Sequence, residues 1–316
     1  MPEVETIRRQ LEPAVVGRRI VAARVLDERW TRPEEPATVE RTVTGRAIEA
    51  VGRRGKYLIL GLEGDRSLVM HLRMTGNLLL RPAGAGSDVA LDLMDARLGA
   101  PRLHEAQNDR PSPSGGRLDH SEARHLRAAF RLDDGSELWF TDARRFGHGV
   151  VLDGAELGEY LSARLGVEPL TGELTAETLA VMAAGRTVPL KSFLLDQSGV
   201  AGIGNIYADE ALHRASLHPL SPAGSMRAEH HEALVEGIVG ALEAGLAHGG
   251  SSIDDYRDSR GEKGSMQDEF LVHTREGEEC PRCGGAIRRI LVGGRSTYFC
   301  PDCQTRLRRR RKRAKR

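Results

Sequence analysis

The sequence predicts an α+β protein: a β-rich first half behind a leading helix, and a helical second half ending in a small cysteine module. Three observations predict it. Short runs of β-forming residues fill the stretch before residue 153, glycine- and proline-bounded helical stretches follow residue 158, and all four cysteines lie between Cys280 and Cys303. The 316 residues, 40% of them hydrophobic, exceed the usual size of one domain, so two lobes with separate cores are expected.

The leading helix is read over residues 3–16, where Val4, Ile7, Leu11 and Val15 recur at three- and four-residue spacing with Arg8 and Arg9 between them. Runs such as RIVAARVL, KYLILGL and SLVMHLRM, then LRAAFRL, ELWFTD and GVVL, read as strands of a domain over residues 1–152. Within it, residues 82–121 are rich in Pro, Gly, Ala and Asp without sustained periodicity. They read as an insertion of illegible function, with one short helical piece around Val89–Leu98. A linker over 153–167 leads to the helical stretches AETLAVMAAG, LKSFLLDQ, NIYADEALHRA and HHEALVEGIVGALEAGLAHG, each closed by glycine or proline signals.

Composition narrows the function classes. No run approaches the roughly 18 apolar residues of a membrane helix, and the start MPEVETIRRQL carries acids where a secretory signal is basic and then apolar. A soluble, unexported, monomeric protein of a reducing cytoplasm is expected. The net charge is only +1, yet residues 306–316 are almost all basic, a placement that suits nonspecific DNA affinity through counterion release.

Cys280-x-x-Cys283 and Cys300-x-x-Cys303 are separated by sixteen residues and offer two thiolate pairs, enough to close a tetrahedron around one zinc. Four thiolates leave no open position, so the zinc is expected to be structural; four incidental cysteines are the plainer alternative. The intervening AIRRILVGGRSTYF reads as a β-hairpin with Arg295 just beyond its tip. Upstream, Gly199, Gly202 and Gly204 break the chain between two helices, and Asn205 opens the second. Free N–H groups of a helix start beside glycines can bind a phosphate; a helix connection with Asn205 as N-cap explains the same residues equally well.

Together these segments carry a resemblance. GIGNIYADE resembles the helix-two-turn-helix, and REGEECPRCGG…GGRSTYFCPDCQ the zinc finger, of the formamidopyrimidine-DNA glycosylase and endonuclease-eight superfamily; VETIRRQL, RRGKYLIL, HLRMTG and DARRFG match as well. The resemblance covers nearly the whole chain apart from the insertion and the basic tail. It implies an N-terminal β-sandwich with its leading helix and a helix-two-turn-helix domain over 168–270 that includes a lesion-recognition loop. A zinc finger over 271–305 and the tail follow, and double-stranded DNA lies between the lobes.

The resemblance further implies a bifunctional glycosylase and abasic-site lyase of base excision repair that excises oxidised purines. Pro2, exposed once Met1 is removed, would be the amine nucleophile forming a Schiff base, Glu3 would move protons, and Lys56 and Arg295 would assist the β- and δ-eliminations. Lys56, His71, Asn205 and Arg295 would grip phosphates, with His125, Arg144 and Arg186 also touching DNA. Met74, Arg144 and Phe146 would fill the gap left by the flipped base. Taken singly, Met74 and Phe146 would be core residues at strand ends, His71 a satisfied strand histidine and Lys56 a solvated lysine.

Two departures bear on these roles. Family members usually begin MPELPEVET, whereas this chain begins MPEVET. Matched to the first pair, Pro2 would be displaced by about 4.5 Å if helical and up to about 10 Å if extended; matched to the second, it would leave the nucleophile outside the sequence, as if a leucine codon had been taken for the start. Arg73 stands where the family usually has glycine. GGSSIDDYRDSRGEKGSMQDEF resembles the loop that covers a flipped purine and favours 8-oxoguanine and formamidopyrimidines over oxidised pyrimidines. The alternatives are a damage-binding protein with impaired chemistry and an endonuclease-eight-like enzyme for pyrimidines.

Overall fold

The structure, a computed structural model, describes residues 1–83, 124–253 and 255–308. The expected helical piece at Val89–Leu98, most of the insertion and residues 309–316 of the tail lie outside the described residues.

Helix α1 (Pro2–Val15) has Met1 as its N-cap and Pro2 in its first turn, where a missing N–H costs nothing. Val4, Ile7, Leu11 and Val15 are all buried, as their spacing predicts. They pack over two four-stranded antiparallel sheets, ordered β1-β6-β7-β5 and β2-β3-β4-β8. The strands are β1 (Ile20–Val25), β2 (Ile48–Arg54), β3 (Tyr57–Leu62), β4 (Arg66–His71), β5 (Gly76–Arg81), β6 (Leu126–Leu132), β7 (Glu137–Asp142) and β8 (His148–Asp153), with helix α2 (Pro36–Val43) between β1 and β2. Leu58, Leu60, Leu68, Leu78, Phe130 and Phe140 fill the space between the sheets.

Register places the functional turns. Tyr57 pairs with His71 and His71 with His148, which puts Lys56, at the head of β3, beside the end of β4. Gly76 pairs with Asp142, so the turn 72–75 and the turn 143–147 lie side by side. Asp142 accepts from the Thr75 hydroxyl and from the Arg144 and Gly147 N–H groups, pinning both turns.

The expected linker carries a helix, α3 (Gly154–Ser162), closed by a capping box in which Asp153 and Glu156 exchange side-chain-to-backbone hydrogen bonds of 2.9 Å. The helical domain follows as α4 (Ala176–Ala183), α5 (Leu190–Leu195), α6 (Asn205–Arg214) and α7 (Ala228–Ala247). Its core gathers Leu179, Phe193, Leu194, Leu212, Leu234 and Ile238. The finger hairpin is β9 (Arg288–Val292) paired with β10 (Arg295–Phe299), Arg295 standing opposite Val292 just past Gly293 and Gly294. Among the described residues no helix is long and apolar enough to cross a membrane.

Candidate active site and nucleic-acid interface

A cleft of about 910 Å³ opens between the two domains. On one side stand the start of α1, Lys56, the turn at His71–Met74 and Phe146; on the other, Gly204–Tyr207, His273 and Arg295.

The amine end of α1 sits inside this cleft. The Met1 nitrogen lies 3.2 Å from Glu3 Oε2, and Met1's side chain is buried against the helical core. Gly202 makes room for it: its φ of +88° suits glycine, and a Cβ there would come within 3.0 Å of Met1 Cβ. Burial lowers the pKa of the Met1 amine to about 6, Glu3 opposing and the Lys56 charge adding to the fall. Glu3 is itself held below the usual carboxylate range. Burial, its largest single influence, works the other way, but the amine, a backbone N–H and the Tyr207 hydroxyl together prevail. The Tyr207 hydroxyl donates to Glu3 Oε1 at 2.7 Å, while that of Tyr256 donates to the Glu3 carbonyl at 3.2 Å. Pro2 packs behind this wall against α7, where a Cβ on Gly245 would meet its Cγ at 2.8 Å, and its nitrogen is the amide joining it to Met1. Met1, Glu3 and Val4 face the cleft; Pro2 does not.

Lys56 donates to the Ile203 carbonyl at 2.7 Å, reaching across to the glycine loop of the other domain. Burial brings its pKa down to about 8, Glu3 resisting and Arg295 and Arg73 assisting. His71 is driven to about 2 by burial and by the Arg73 and His148 charges, so its ring is neutral. The Arg73 N–H donates to His71 Nδ1 at 2.9 Å, which leaves the proton on Nε2, a donor for a phosphate oxygen.

Across the cleft, Asn205 is the first residue of α6 and Gly204 its N-cap, so Asn205 does not cap the helix. Its Nδ2 donates to the Ser296 carbonyl of the finger at 3.0 Å, and its Oδ1 is buried with no partner among the described residues. The first-turn N–H groups of α6 have no intrahelical acceptor and are available to a phosphate. On the β-domain side, Met74 (60% exposed) and Phe146 (55%) stand out of the surface. Arg144 Nη1 lies 3.5 Å from Met74 Sδ and its guanidinium carbon 5.1 Å from the centre of the Phe146 ring, so the three side chains form one protruding group. His125 and Arg186 are not among the cleft residues.

Sequence reasoning missed Tyr207 and Tyr256, the two hydroxyls on Glu3. Tyr207 lies inside the quoted NIYADE motif, but nothing in spacing shows where its hydroxyl goes. It also missed a buried set behind the start of α6. Lys191 Nζ donates to Asp209 Oδ1 at 2.5 Å and to the Asn205 carbonyl at 2.7 Å, and His273 Nδ1 lies 2.8 Å from Asp209 Oδ2.

The four cysteine sulfurs lie within 4.8 Å of one another, with Cys280–Cys303 at 3.8 Å and Cys283–Cys300 at 3.5 Å. Four thiolates at roughly 2.3 Å from a tetrahedral zinc stand about 3.8 Å apart, so the group fits one closed, structural zinc.

Comparisons with known proteins cover the same ground. Three domain-family models match: the formamidopyrimidine-DNA glycosylase N-terminal domain at residues 1–149, the formamidopyrimidine-DNA glycosylase H2TH domain at 165–257, and the zinc finger found in FPG and IleRS at 277–306. The formamidopyrimidine-DNA glycosylase of Roseiflexus sp. (strain RS-1) is 40% identical over 96% of this chain and 98% of its own length. That of Symbiobacterium thermophilum is 41% identical over 96% and 88%. Among solved structures, a Lactococcus lactis FPG mutant in complex with a Fapy-dG containing DNA superposes with a TM-score of 0.79 at 32% identity, covering 97% of this chain and 99% of that one. MutM in complex with carbocyclic 8-oxo-G containing DNA gives 0.78 at 32%, with the same coverage. Fold, finger and full-length similarity agree: the chain belongs to the formamidopyrimidine-DNA glycosylase family.

Proposed function

We propose that this chain is a bifunctional DNA glycosylase and abasic-site lyase that removes 8-oxoguanine and formamidopyrimidines from duplex DNA. The observation that carries the reading is the convergence of a neutralisable α-amine, Glu3, Lys56 and Arg295 on one interdomain cleft, with an exposed wedge of Met74, Arg144 and Phe146 at its rim.

Duplex DNA enters the cleft with His71, Asn205, Lys56 and Arg295 on its phosphates, and His125 and Arg186 contact it further out. The target nucleotide is flipped out, and the wedge fills the gap and lowers the cost of unstacking. The amine lone pair attacks C1′ of the deoxyribose, the base departs with the bond electrons and takes up a proton, and ring opening gives an iminium. Glu3 passes the amine's proton to the sugar ring oxygen. Loss of a C2′ proton expels the 3′ phosphate, a second elimination expels the 5′ phosphate, and water releases the amine. Lys56 assists the first elimination and Arg295 the second.

The nucleophile is the amine at the N-terminal end of α1: Pro2's secondary amine once Met1 is removed, with Met1's primary amine in that place while Met1 is retained. Burial lowers the Met1 amine to about 6, so in this form the amine is mostly neutral at pH 7. The loop at residues 249–270 reaches over to the β-domain, where Arg257 N–H donates to Asn77 at 2.7 Å and Gln10 donates to Asp258 at 2.7 Å, a position suited to covering a flipped purine. A damage-binding role without chemistry is favoured by one observation, the placement of Pro2 behind the cleft wall.

Borohydride trapping on a duplex with 8-oxoguanine opposite cytosine, followed by peptide mapping of the adduct, decides between them. An adduct on Pro2 or Met1 is expected. Binding without any adduct makes the chain a damage sensor, and an adduct on Lys56 displaces the α-amine from the mechanism.

A further inference from the structure

His213 lies at the far end of α6 from the Asn205 clamp and is 1% exposed. Its Nε2 stands 3.3 Å from Cys280 Sγ, while its Nδ1 is buried with no partner among the described residues. The four sulfurs alone make up the compact ligand group, so His213 is outside the coordination sphere. A zinc-bound thiolate has no proton to give; the contact must therefore be Nε2–H donating to sulfur, which fixes the tautomer and leaves Nδ1 bare. An apolar side chain would fill this space without stranding a nitrogen. A buried histidine retained at that cost points to a task for the hydrogen bond.

The surrounding contacts show what is being held. Arg282, between Cys280 and Cys283, donates to the Ser216 hydroxyl and to the Arg214 carbonyl at 3.2 Å. Gln304 accepts from the Cys300 N–H and donates to the Leu217 carbonyl, both at 2.8 Å. The metal module is thus docked on the C-terminal end of α6, while the Asn205–Ser296 bond ties the start of α6 to the hairpin bearing Arg295. Of these docking contacts, only His213 touches a ligand sulfur.

We propose that His213 is a positioning residue of the zinc site: its Nε2–H donates to the Cys280 thiolate, draws charge from that sulfur, and slows loss of the metal while fixing the finger on α6. Histidine here acts on a ligand rather than as one, as outer-shell donors do in other metal sites. The inference rests on the finger holding zinc.

The test uses the full chain with its zinc, first assayed for one zinc per molecule, and compares H213F, which removes the donor, with H213Q, which keeps an N–H near Nε2. Zinc release to a chelating dye is expected to be about 10–100-fold faster in H213F. After cobalt(II) substitution, its thiolate-to-metal charge-transfer band is expected at lower energy, and H213Q should return both readouts toward the native values. If H213F does not fold, H213L against H213Q makes the same comparison. Release and spectrum unchanged in the apolar variant, or H213Q behaving like it, overturns the inference and leaves His213 a packing residue. A native chain without zinc overturns the metal reading and this inference together.

Discussion

The two walls of the cleft are built in opposite ways. On the helical side the groups that would meet phosphate are backed by buried charge: Lys191, Asp209 and His273 brace the start of α6, and both Glu210 oxygens accept from the N–H groups of Leu271, Val272 and His273 at 2.9–3.0 Å. On the β-domain side, Met74, Arg144 and Phe146 stand in solvent on short turns and touch chiefly one another. A backbone clamp needs fixed geometry, and a probe that must enter a base stack needs to be free of the protein. The contrast predicts that damage to one wall costs stability and damage to the other costs function.

The largest effect is expected from Lys191→Met. The Lys191 and Asp209 side chains are fully buried; burial pulls the ammonium below its usual pKa while the Asp209 carboxylate holds its proton in place. Removing the lysine leaves that buried carboxylate without its cation and with His273 as its remaining side-chain partner, and urea unfolding should show a loss of about 3 kcal/mol. The double variant K191M/D209L should recover much of it. A loss below about 1 kcal/mol in K191M would show that the brace is ornamental and would dissolve the contrast. On the opposite wall, Met74→Ala combined with Phe146→Ala should leave unfolding within about 0.5 kcal/mol, since both residues are exposed. Single-turnover excision from duplex DNA should nonetheless fall roughly 10- to 100-fold, a loss of about 1.4–2.7 kcal/mol in transition-state stabilisation. Equal losses of excision from single-stranded and duplex substrates would mean that these residues do not act as a wedge.

The same contrast explains what was legible in the sequence. Apolar spacing marked α1 and the long helices because each buries one face, and β3, β4, β6 and β7 because their apolar and β-branched runs are dense. β2 (IEAVGRR) and β5 (GNLLLR) escaped: glycine and arginine dilute their pattern, and they are recognisable only once paired with β3 and β7. The four cysteines of the finger were readable, since metal ligation demands fixed spacing. Lys191, Asp209 and His273 were not, because a charge reads as surface unless its partners, 18 and 64 residues away along the chain, are known. The facing of Met1 and Pro2 was likewise hidden, being decided by the fit of α1 against Gly202 and Gly245 in the other domain.

The pH profile tests the inner part of the cleft, where the walls meet. The attacking amine must be neutral, and that of Met1 is lowered to about 6, so with Met1 retained trapping should fall about tenfold for each pH unit below 6. Lys56 loses its proton near pH 8, so steps that need its charge should decline above that. A bell between about 6 and 8 is expected in single-turnover kinetics. Glu3 raises the amine's pKa, so Glu3→Gln should move the acid limb below 6 while slowing the reaction at its maximum. An acid limb near 8 would mean that the attacking amine is solvated and outside the cleft.

The smallest effect is expected at Arg73. Arg73 holds a left-handed backbone, φ +58°, at the turn that carries Met74. A side chain there costs about 1–2 kcal/mol, partly offset in a glycine variant by the greater entropy of its unfolded chain. Arg73→Gly should therefore stabilise the protein by about 0.5 kcal/mol, a small rise in Tm. The bond to His71 Nδ1 comes from the backbone and survives the change, so the donor on Nε2 is kept. What disappears is a positive charge that depresses both Lys56 and His71. The alkaline limb should accordingly move up, and the excision ratio between 8-oxoguanine and formamidopyrimidine substrates should change, because bulk and charge beside Met74 are lost together. A glycine variant with the native alkaline limb would place the arginine's charge outside the reach of Lys56 and leave Arg73 a matter of backbone strain alone.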